Sequence, residues 1–227
     1  MTAPTPARPA VLAAADAHLP AVFDDDPVIR TTLSRDDLRA GVAKAAAPLD
    51  VVRLVVVGGP DAHDALLAGV LSRLLVAERL DLEVAYVAPF ATPATTVYGL
   101  PHGDAAATLA VAGEARSVPL IRDDAAVVVV GEASHRGVGS TFTGETYVDS
   151  TLLFSGETRE VRIRPTAHEP GVEGAVARRF RTRWVPGRAV QTGGIDVVVE
   201  RDGVRAPRPV PRSTVYRHAD DWKLVRP

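Results

Sequence analysis

Cysteine is absent from the 227-residue chain, and its absence excludes disulfide frameworks, thiolate catalysis and cysteine zinc sites. No apolar run approaches the roughly 18 residues of a membrane-spanning helix. Residues 1–20 also lack the basic segment and continuous apolar stretch of a signal peptide. Neither a two-histidine helical metal motif nor a G-x-S-x-G hydrolase element is found, and no metal ligands are assigned. We therefore expect a cytoplasmic protein without an integral membrane segment.

Lysine is almost as scarce, because 24 of the 26 basic residues are arginine. The net charge of −2 conceals an asymmetry: residues 157–227 hold 15 of the 26 basic and 9 of the 28 acidic residues, which gives +6 there and −8 in residues 1–156. Opposite charges favour docking of the two parts on each other, or an anionic ligand near the basic part. The acidic first part and a pI near 6.3 argue against nucleic acid as a partner.

The first half of the chain alternates between apolar strands and amphipathic helices. The pattern predicts strands over residues 28–32, 51–57 and 82–88, and helices over residues 35–47, 61–79 and 104–113. Ser34 is suited to cap the first of these helices. The nearly unbroken apolar run at residues 51–57 is typical of a parallel strand that is buried on both faces. We predict a flexible tail over residues 1–10 and a doubly wound α/β domain over residues 11–117.

The second half has short strand patterns that glycine and proline turns separate. The candidate strands are residues 127–130, 146–154, 159–164, 179–185, 195–200, 212–217 and 222–225. Such spacing predicts an antiparallel β-sandwich domain over residues 118–227. The predicted fold class is therefore an N-terminal α/β domain followed by an all-β domain.

One turn in the first half has the pattern of a phosphate site. In LVVVGGPDAHDALL, residues 54–67, an apolar strand runs into Gly58 and Gly59 before a helix begins. A helix N-terminus after glycines presents backbone N–H groups and a positive dipole end to phosphate. Asp61 and His63 are then candidates to contact the ligand. The alternative is a purely structural turn, with Pro60 at the first helical position.

A second candidate segment is PFATPATTVYGLPHGD, residues 89–104, which follows the next predicted strand. Loops at the carboxyl ends of parallel strands are where α/β folds bind ligands. The hydroxyls of Thr92 and Thr95 are therefore candidates for ligand contact. A threonine-capped helix start after a proline-rich bend is the alternative.

The third region contains the arginine-rich run RRFRTRW and a late Asp202–Gly203 pair. If the run is a strand, Arg179, Arg181 and Arg183 share one face, which is either a solvent-exposed cover or an anion-binding surface. Asp202 and Gly203 suit an ordinary hairpin turn.

The order of these features resembles the diacylglycerol kinase and sphingosine kinase superfamily, whose architecture NAD kinases share. Gly58 and Gly59 match the start of the superfamily's G-G-D-G-T turn, but Pro60 stands where the aspartate is expected. Pro89 and Thr92 match part of the P-x-G-T-x-N loop. The segment GEARSVPLIRDD, residues 113–124, resembles the passage into the second domain.

Two further motifs depart from the superfamily pattern. Asp202 and Gly203 match the late D-G-E element, but Val204 replaces the glutamate. The usual opening strand with its N-P-x-x-G element is not recognisable near residues 9–14. Losses at several motifs weaken phosphate positioning and the metal or base network that phosphoryl transfer requires.

The resemblance implies ATP and Mg²⁺ as cofactors and a ligand cleft between the two domains. Given the departures, we expect a divergent member with lost or weak kinase activity, which binds a nucleotide or another phosphorylated ligand. One alternative is an active ATP-dependent kinase, in which Asp61 and Asp202 are the catalytic residues. The other is a non-enzymatic interaction protein, with a homodimer through an edge strand of the sandwich.

Overall fold

The structure is a computed structural model that describes residues 9–48, 51–61, 63–178 and 182–227. These residues form two compact units. The first unit contains the described residues up to Ala91, together with Gly99–Ser117 and Trp222–Pro227. The second unit contains Thr92–Tyr98 and Val118–Asp221. The sequence predicted domains over residues 11–117 and 118–227. The units differ from these bounds in that Thr92–Tyr98 belongs to the second unit and Trp222–Pro227 belongs to the first.

The helices and strands alternate at first, and strands alone follow. The helices are α1 Arg35–Ala46, α2 His63–Val76, α3 Pro93–Tyr98 and α4 Gly103–Ala112, with one 3₁₀ turn at Ala21–Phe23. The strands are β1 Ala10–Ala14, β2 Val28–Thr31, β3 Arg53–Val57, β4 Glu83–Val87, β5 Glu114–Asp123, β6 Ala133–Arg136, β7 Phe142–Val148, β8 Thr151–Thr158, β9 Glu160–Pro165, β10 Val172–Val176, β11 Val185–Gly187, β12 Ala189–Arg201, β13 Val204–Arg205 and β14 Val210–Arg226. No helix in the described ranges is long and apolar enough to cross a membrane.

The first unit is built on a parallel sheet with the order β2-β1-β3-β4-β14, to which β14 contributes its C-terminal end. Odd-numbered residues of β1 and β3, such as Val11 and Val55, pack in one cluster with Ala106 and Ala110 of α4. On the opposite face, Gly41 of α1 lies beside Leu12. Helices thus cover both faces of the sheet, which is why its strands read as continuous apolar runs. The doubly wound α/β architecture is confirmed.

The second unit is an antiparallel assembly of two sheet portions that share β12. One portion has the order β11-β10-β9-β6-β12, and in the other β12 pairs with β7 and β14. A register shift between Gly193 and Val197 interrupts β12 where its pairing changes from β7 to β6. Strands that switch sheets through a bulge form the corners of β-sandwiches. The all-β character predicted for this part is confirmed.

The core of the second unit draws residues from both sheet portions. Ile163 of β9 and Val190 of β12 belong to one buried cluster with Phe142 of β7. A nearly buried ion pair joins Arg201 to Asp123, whose carboxylate also accepts the N–H of Val127 at 2.9 Å. Charges at this depth require such pairing, because an isolated ion would be strongly disfavoured by lost hydration.

Several strand predictions differ from the structure. Residues 127–130 are not a strand, although they are apolar: Val128 forms an isolated bridge with Arg122, and the N–H of Val130 bonds to Asp202 at 3.1 Å. The candidates at 212–217 and 222–225 are one strand, β14. The strand predicted at 146–154 is a hairpin of β7 and β8. The run at 179–185 lies partly on residues 179–181, outside the described residues, and β11 begins only at Val185.

Candidate functional site

The candidate site lies at the carboxyl edge of the parallel sheet in the first unit. Here the chain leaves β3 through Gly58, Gly59, Pro60 and Asp61, which we call the glycine turn, before α2 begins at His63. Gly58 and Gly59 are buried, whereas Pro60 and Asp61 are exposed. Three of the predicted ligand-contacting residues, Gly58, Gly59 and Asp61, therefore lie in the glycine turn, and a fourth, His63, is the first residue of α2.

Backbone donors are scarce in the glycine turn. The N–H of Gly58 donates to the carbonyl of Val87 at 2.9 Å, which extends the pairing of β3 with β4. Pro60 carries no N–H. The N–H of Gly59 has no backbone acceptor in the described part of the chain. The turn therefore offers an anion fewer N–H groups than a glycine-rich phosphate loop does.

The carboxylate of Asp16 fills part of the space beside Gly59. Asp16 lies in residues 15–17, which follow β1 and which we call the β1 loop. A Cβ at residue 59 would overlap a carboxylate oxygen of Asp16 and lie 3.1 Å from the Cβ of Ala14. A negative charge thus lies beside the turn for which the sequence predicted phosphate binding.

A cavity of about 380 Å³ lies beside the β1 loop, at the ends of β1 and β2, and we call it the edge pocket. Its lining includes Ala15, Thr31 and Thr32, with Gly41 and Lys44 of α1. Since β1 pairs with β2 on one side and β3 on the other, the β1 loop separates the edge pocket from the glycine turn.

Arg30 and Asp37 shape the wall of the edge pocket. The Nη1 group of Arg30 donates to the carbonyls of Ala14 at 3.0 Å and Ala17 at 2.6 Å, and this fixes the β1 loop. Asp37 accepts a hydrogen bond of 2.5 Å from the Thr32 hydroxyl. That hydrogen bond holds the pKa of Asp37 below its ordinary value, so the pocket wall keeps one negative charge. Lys44 supplies a positive charge at the same pocket.

Two aromatic groups flank the start of α2. The His63 ring meets the Phe90 ring edge to face at 4.8 Å, and Phe90 is 44% exposed. The Nδ1 atom of His63 is buried and lacks a hydrogen-bond partner among the described residues. Tyr86 donates its hydroxyl to buried Asp64 at 2.8 Å, in the first turn of α2. At the start of α2, His63 thus has a buried ring nitrogen without a hydrogen-bond partner among the described residues.

Thr92 and Thr95 form the N-terminal cap of α3 in the second unit. The N–H of Thr95 donates to the Thr92 hydroxyl at 3.1 Å, and the N–H of Thr92 donates to the Thr95 hydroxyl at 2.7 Å. Both side chains are buried, with residue exposures of 4% and 3%. The structure thus shows the threonine-capped helix start, in the reciprocal pattern of a capping box. Their contact with a ligand stays a prediction.

Asp202 occupies a hairpin turn between β12 and β13. Asp202 and Gly203 have φ values of 48° and 82°, as the favoured two-residue hairpin turns require. The Asp202 carboxylate accepts the N–H groups of Val130 at 3.1 Å, Gly131 at 2.7 Å and Glu132 at 3.0 Å. It therefore anchors the segment that the sequence suggested as a strand. The catalytic role of Asp202 stays a prediction.

Residues that sequence reasoning missed are those of the β1 loop and the edge pocket. The opening strand is present as β1, but its sequence AVLAA is too short and alanine-rich to stand out beside a proline-rich flank. Because β1 was not predicted, there was no reason in the sequence to place Asp16 next to Gly59. Among the residues that the structure describes, no three His, Asp or Glu side chains form a group that could hold a metal ion.

Comparison with known proteins gives a result for structure but not for sequence. No protein-family model matches the chain, and no curated protein matches it. A solved structure of a diacylglycerol kinase from Bacillus anthracis strain Sterne superposes with a TM-score of 0.70 at 12% identity, over 98% of both chains. An NAD kinase from Archaeoglobus fulgidus, solved in complex with ATP, gives a TM-score of 0.61 at 11% identity, over 96% of this chain and 94% of that one. The chain has the fold of the diacylglycerol kinases and NAD kinases.

Proposed function

We propose that the chain binds a nucleotide along the carboxyl edge of the first unit's sheet, and that it transfers phosphoryl groups weakly or not at all. In this proposal the edge pocket receives the nucleoside part, and the phosphates extend towards the glycine turn. The observation that carries it is the position of the β1 loop, with the edge pocket on one side and the glycine turn on the other.

The edge pocket supports binding by its size and lining. Its volume of about 380 Å³ lies within the range of roughly 300–1,000 Å³ that small-molecule sites occupy. The Asp37 carboxylate can accept a ribose hydroxyl or a base N–H, and Lys44 offers an ammonium group. Carboxyl edges of parallel strands are also the usual ligand sites of open α/β sheets.

The glycine turn supports the second part of the proposal, weak transfer. Phosphoryl transfer depends on positioned phosphates and on neutralisation of the charge that develops during the reaction. Here the Gly58 N–H is already bonded to Val87, Pro60 has no N–H, and the Asp16 carboxylate lies against Gly59. The arrangement repels phosphate where a kinase must hold it most firmly.

The second unit supports weak transfer independently. A carboxylate that serves a metal ion or a hydroxyl must have lone pairs directed towards it. The carboxylate of Asp202 already accepts three backbone N–H groups, and the neighbouring glutamate expected from the superfamily pattern is Val204. We therefore assign Asp202 a structural role in place of a catalytic one.

ATP fits the residues at the edge in part. The ammonium of Lys44 and the N–H of Gly59 are the groups that would hold it, and the exposed carboxylate of Asp61 lies in the same turn as Gly59. Mg²⁺ bound to the phosphates would offset the charge of Asp16 and Asp61. Binding of ATP should therefore depend on magnesium more than binding of adenosine does.

Calorimetric titration with ATP, ADP and adenosine, with and without magnesium, tests the binding half of the proposal. We expect adenosine to bind about as tightly as magnesium-free ATP, because Asp16 opposes the phosphates. Failure of all three ligands to bind at millimolar concentration would overturn the proposal and favour the non-enzymatic interaction protein.

A phosphorylation assay with labelled ATP tests the other half, with diacylglycerol in vesicles and NAD as acceptors. We expect no product above the level of a protein-free control. Efficient transfer to either acceptor would contradict weak transfer and support the active kinase, whose Asp61 and Asp202 variants would then be the next to assay.

A further inference from the structure

We propose that the second unit carries a separate phosphate-binding site, in a cavity of about 540 Å³ lined by Arg188, Arg217, His218 and Glu169. We call this cavity the arginine pocket. It belongs to the second unit alone, and the inference does not rest on the proposed nucleotide site.

Two arginines lie opposite each other on neighbouring strands at this pocket. Ala189 of β12 pairs with Tyr216 of β14, and the next pair continues the ladder, because the N–H of Arg217 donates to the carbonyl of Arg188 at 2.8 Å. Like charges at directly opposite positions are destabilising unless an anion lies between them. The backbone therefore holds two cations together at the wall of an open cavity.

Arg217 is held in a fixed position. Its side chain is only 16% exposed, and it contacts Asp221 at 3.2 Å. A Cβ at residue 171 would lie 3.1 Å from Cδ of Arg217, so the stem of the arginine lies close against Gly171. A guanidinium with its stem fixed loses little further entropy when it binds an anion through two parallel hydrogen bonds.

Arg188 has spare binding capacity. Its backbone N–H donates to the Asp149 carboxylate at 3.0 Å, which fixes the main chain, but its guanidinium has no acceptor in the described ranges. His218 adds a third nitrogen group to the lining and lies 3.6 Å from Asp220. The pocket thus has one engaged cation, one unengaged cation and one histidine.

Glu169 and Asp221 are both counter-ions of Arg217, and Glu169 is the more exposed of the two and the easier to displace. Its carboxylate contacts Arg217 at 2.6 Å, but its side chain is 76% exposed. Arg217 holds the pKa of Glu169 below its ordinary value, chiefly through that hydrogen bond, and Arg188 adds a smaller contribution. Ion pairs this exposed contribute little net free energy, so an external anion competes with Glu169 on favourable terms.

The ligand that this lining recognises is a phosphate group. Guanidinium groups bind the oxygens of phosphate through parallel hydrogen bonds, and a phosphate can engage the free guanidinium of Arg188 and that of Arg217 together. A cavity of 540 Å³ also has room for a small organic group on the phosphate. Inorganic phosphate and a phosphomonoester are therefore the two sources to compare.

Calorimetric titration of inorganic phosphate and of glycerol 3-phosphate into the full chain tests the proposal. Glu169→Gln removes the internal competitor, and we expect both ligands to bind about threefold more tightly, the size of a weak exposed ion pair. Arg188→Gln should weaken binding about tenfold, because it removes a charged hydrogen-bond donor. Both positions are exposed, so the variants should fold, which circular dichroism checks.

Arg205→Gln is the matched control, because Arg205 is also an exposed arginine of the second unit and does not line the pocket. Tighter binding of glycerol 3-phosphate than of phosphate identifies an organic phosphate as the ligand, and equal affinity identifies the phosphate group alone. Absence of binding to the wild-type chain at millimolar ligand overturns the proposal. So does an equal effect of Arg188→Gln and Arg205→Gln, or unchanged affinity in Glu169→Gln.

Discussion

The carboxylate of Asp16 occupies the space that a side chain at position 59 would require, and its Cγ lies 3.0 Å from where a Cβ on Gly59 would be. One residue belongs to the loop after β1 and the other to the turn after β3, so the contact joins the carboxyl ends of two neighbouring strands. A Cβ at residue 59 would have to displace this carboxylate, and in the proposed function its negative charge opposes phosphate at the turn. The predictions below test this relationship and the structural roles assigned around it.

Gly59→Ala should destabilise the protein through its clash with Asp16. Because the side chain of Asp16 is exposed and can turn aside, we expect a cost of about 1 kcal/mol of unfolding free energy, at the low end of what overpacking a core costs. In an Asp16→Ala background the same substitution should cost about 1 kcal/mol less, as expected for two residues in contact. Urea unfolding of the two single variants and the double variant measures this coupling. Additive effects would show that the two residues do not touch.

Thr92→Ala should reduce stability without changing nucleotide affinity. The variant loses the hydroxyl that caps α3, which costs about 1 kcal/mol, whereas Thr92→Ser keeps the hydroxyl and should stay close to wild type. Chemical denaturation and ATP titration of both variants provide the comparison. Loss of ATP affinity in a folded Thr92→Ala variant would restore the ligand-contacting role predicted from the sequence.

Asp202→Ala should be markedly destabilising, because three backbone N–H groups lose their acceptor. Unsatisfied donors cost about 1–3 kcal/mol each where they are buried, and alanine also fits the positive φ of 48° poorly. Asp202→Asn keeps an acceptor oxygen and tolerates that φ, so it should be much milder. A normal melting temperature for Asp202→Ala would contradict the structural role.

His135 should make the stability of the chain sensitive to acid. Burial, with a smaller contribution from Arg201, lowers the pKa of His135 from 6.5 to about 3, while the unfolded chain keeps the ordinary value. As the pH falls below 6.5 the unfolded chain gains a proton that the folded chain does not, and stability is lost progressively towards pH 3.

His135→Phe isolates this contribution. In the wild type, Nδ1 of His135 lies 2.7 Å from the hydroxyl of Thr192. The variant removes the titrating ring, and the Thr192 hydroxyl keeps its second partner, Thr146, at 2.8 Å. From about pH 7 to about pH 5 the wild type should lose about 2 kcal/mol more unfolding free energy than the variant, from roughly 1.4 kcal/mol per pH unit below 6.5. Urea unfolding at both pH values measures the difference. Parallel pH dependence of the two proteins would rule out a neutral buried imidazole.

The sequence predicted correctly those helices and strands that depend on neighbouring residues alone. Helix α1 begins after Ser34, whose hydroxyl accepts the Asp37 N–H at 3.1 Å, and the apolar run at β3 is buried as expected. The fold class was also predicted correctly. Few architectures are compatible with alternating helices and strands that are followed by strands alone.

The remaining features depend on contacts between distant parts of the chain. The run at residues 127–130 has strand composition, but side chains accept the N–H groups at its two ends: Asp123 accepts that of Val127, and the distant Asp202 accepts that of Val130. Strand β14 is one element of 17 residues because it pairs along most of its length, whereas its sequence shows two patterns. At the site, the pair Gly58–Gly59 could be identified from the sequence because it lies between an apolar strand and a helix. No sequence pattern places Asp16 beside a turn more than 40 residues away.

The most direct test of the proposed function compares ATP with adenosine in the wild type, in Asp16→Asn and in Glu114→Gln. Glu114 is an exposed acid in the same unit that follows the C-terminal end of α4, and it serves as the control for a general change in charge. If the edge binds a nucleotide whose phosphates Asp16 opposes, Asp16→Asn should bind ATP about fivefold more tightly, since removing one nearby charge is worth about 1 kcal/mol. Adenosine affinity should stay unchanged in all three proteins. Equal ATP affinity in Asp16→Asn and the wild type, or no binding of either ligand, would contradict the account.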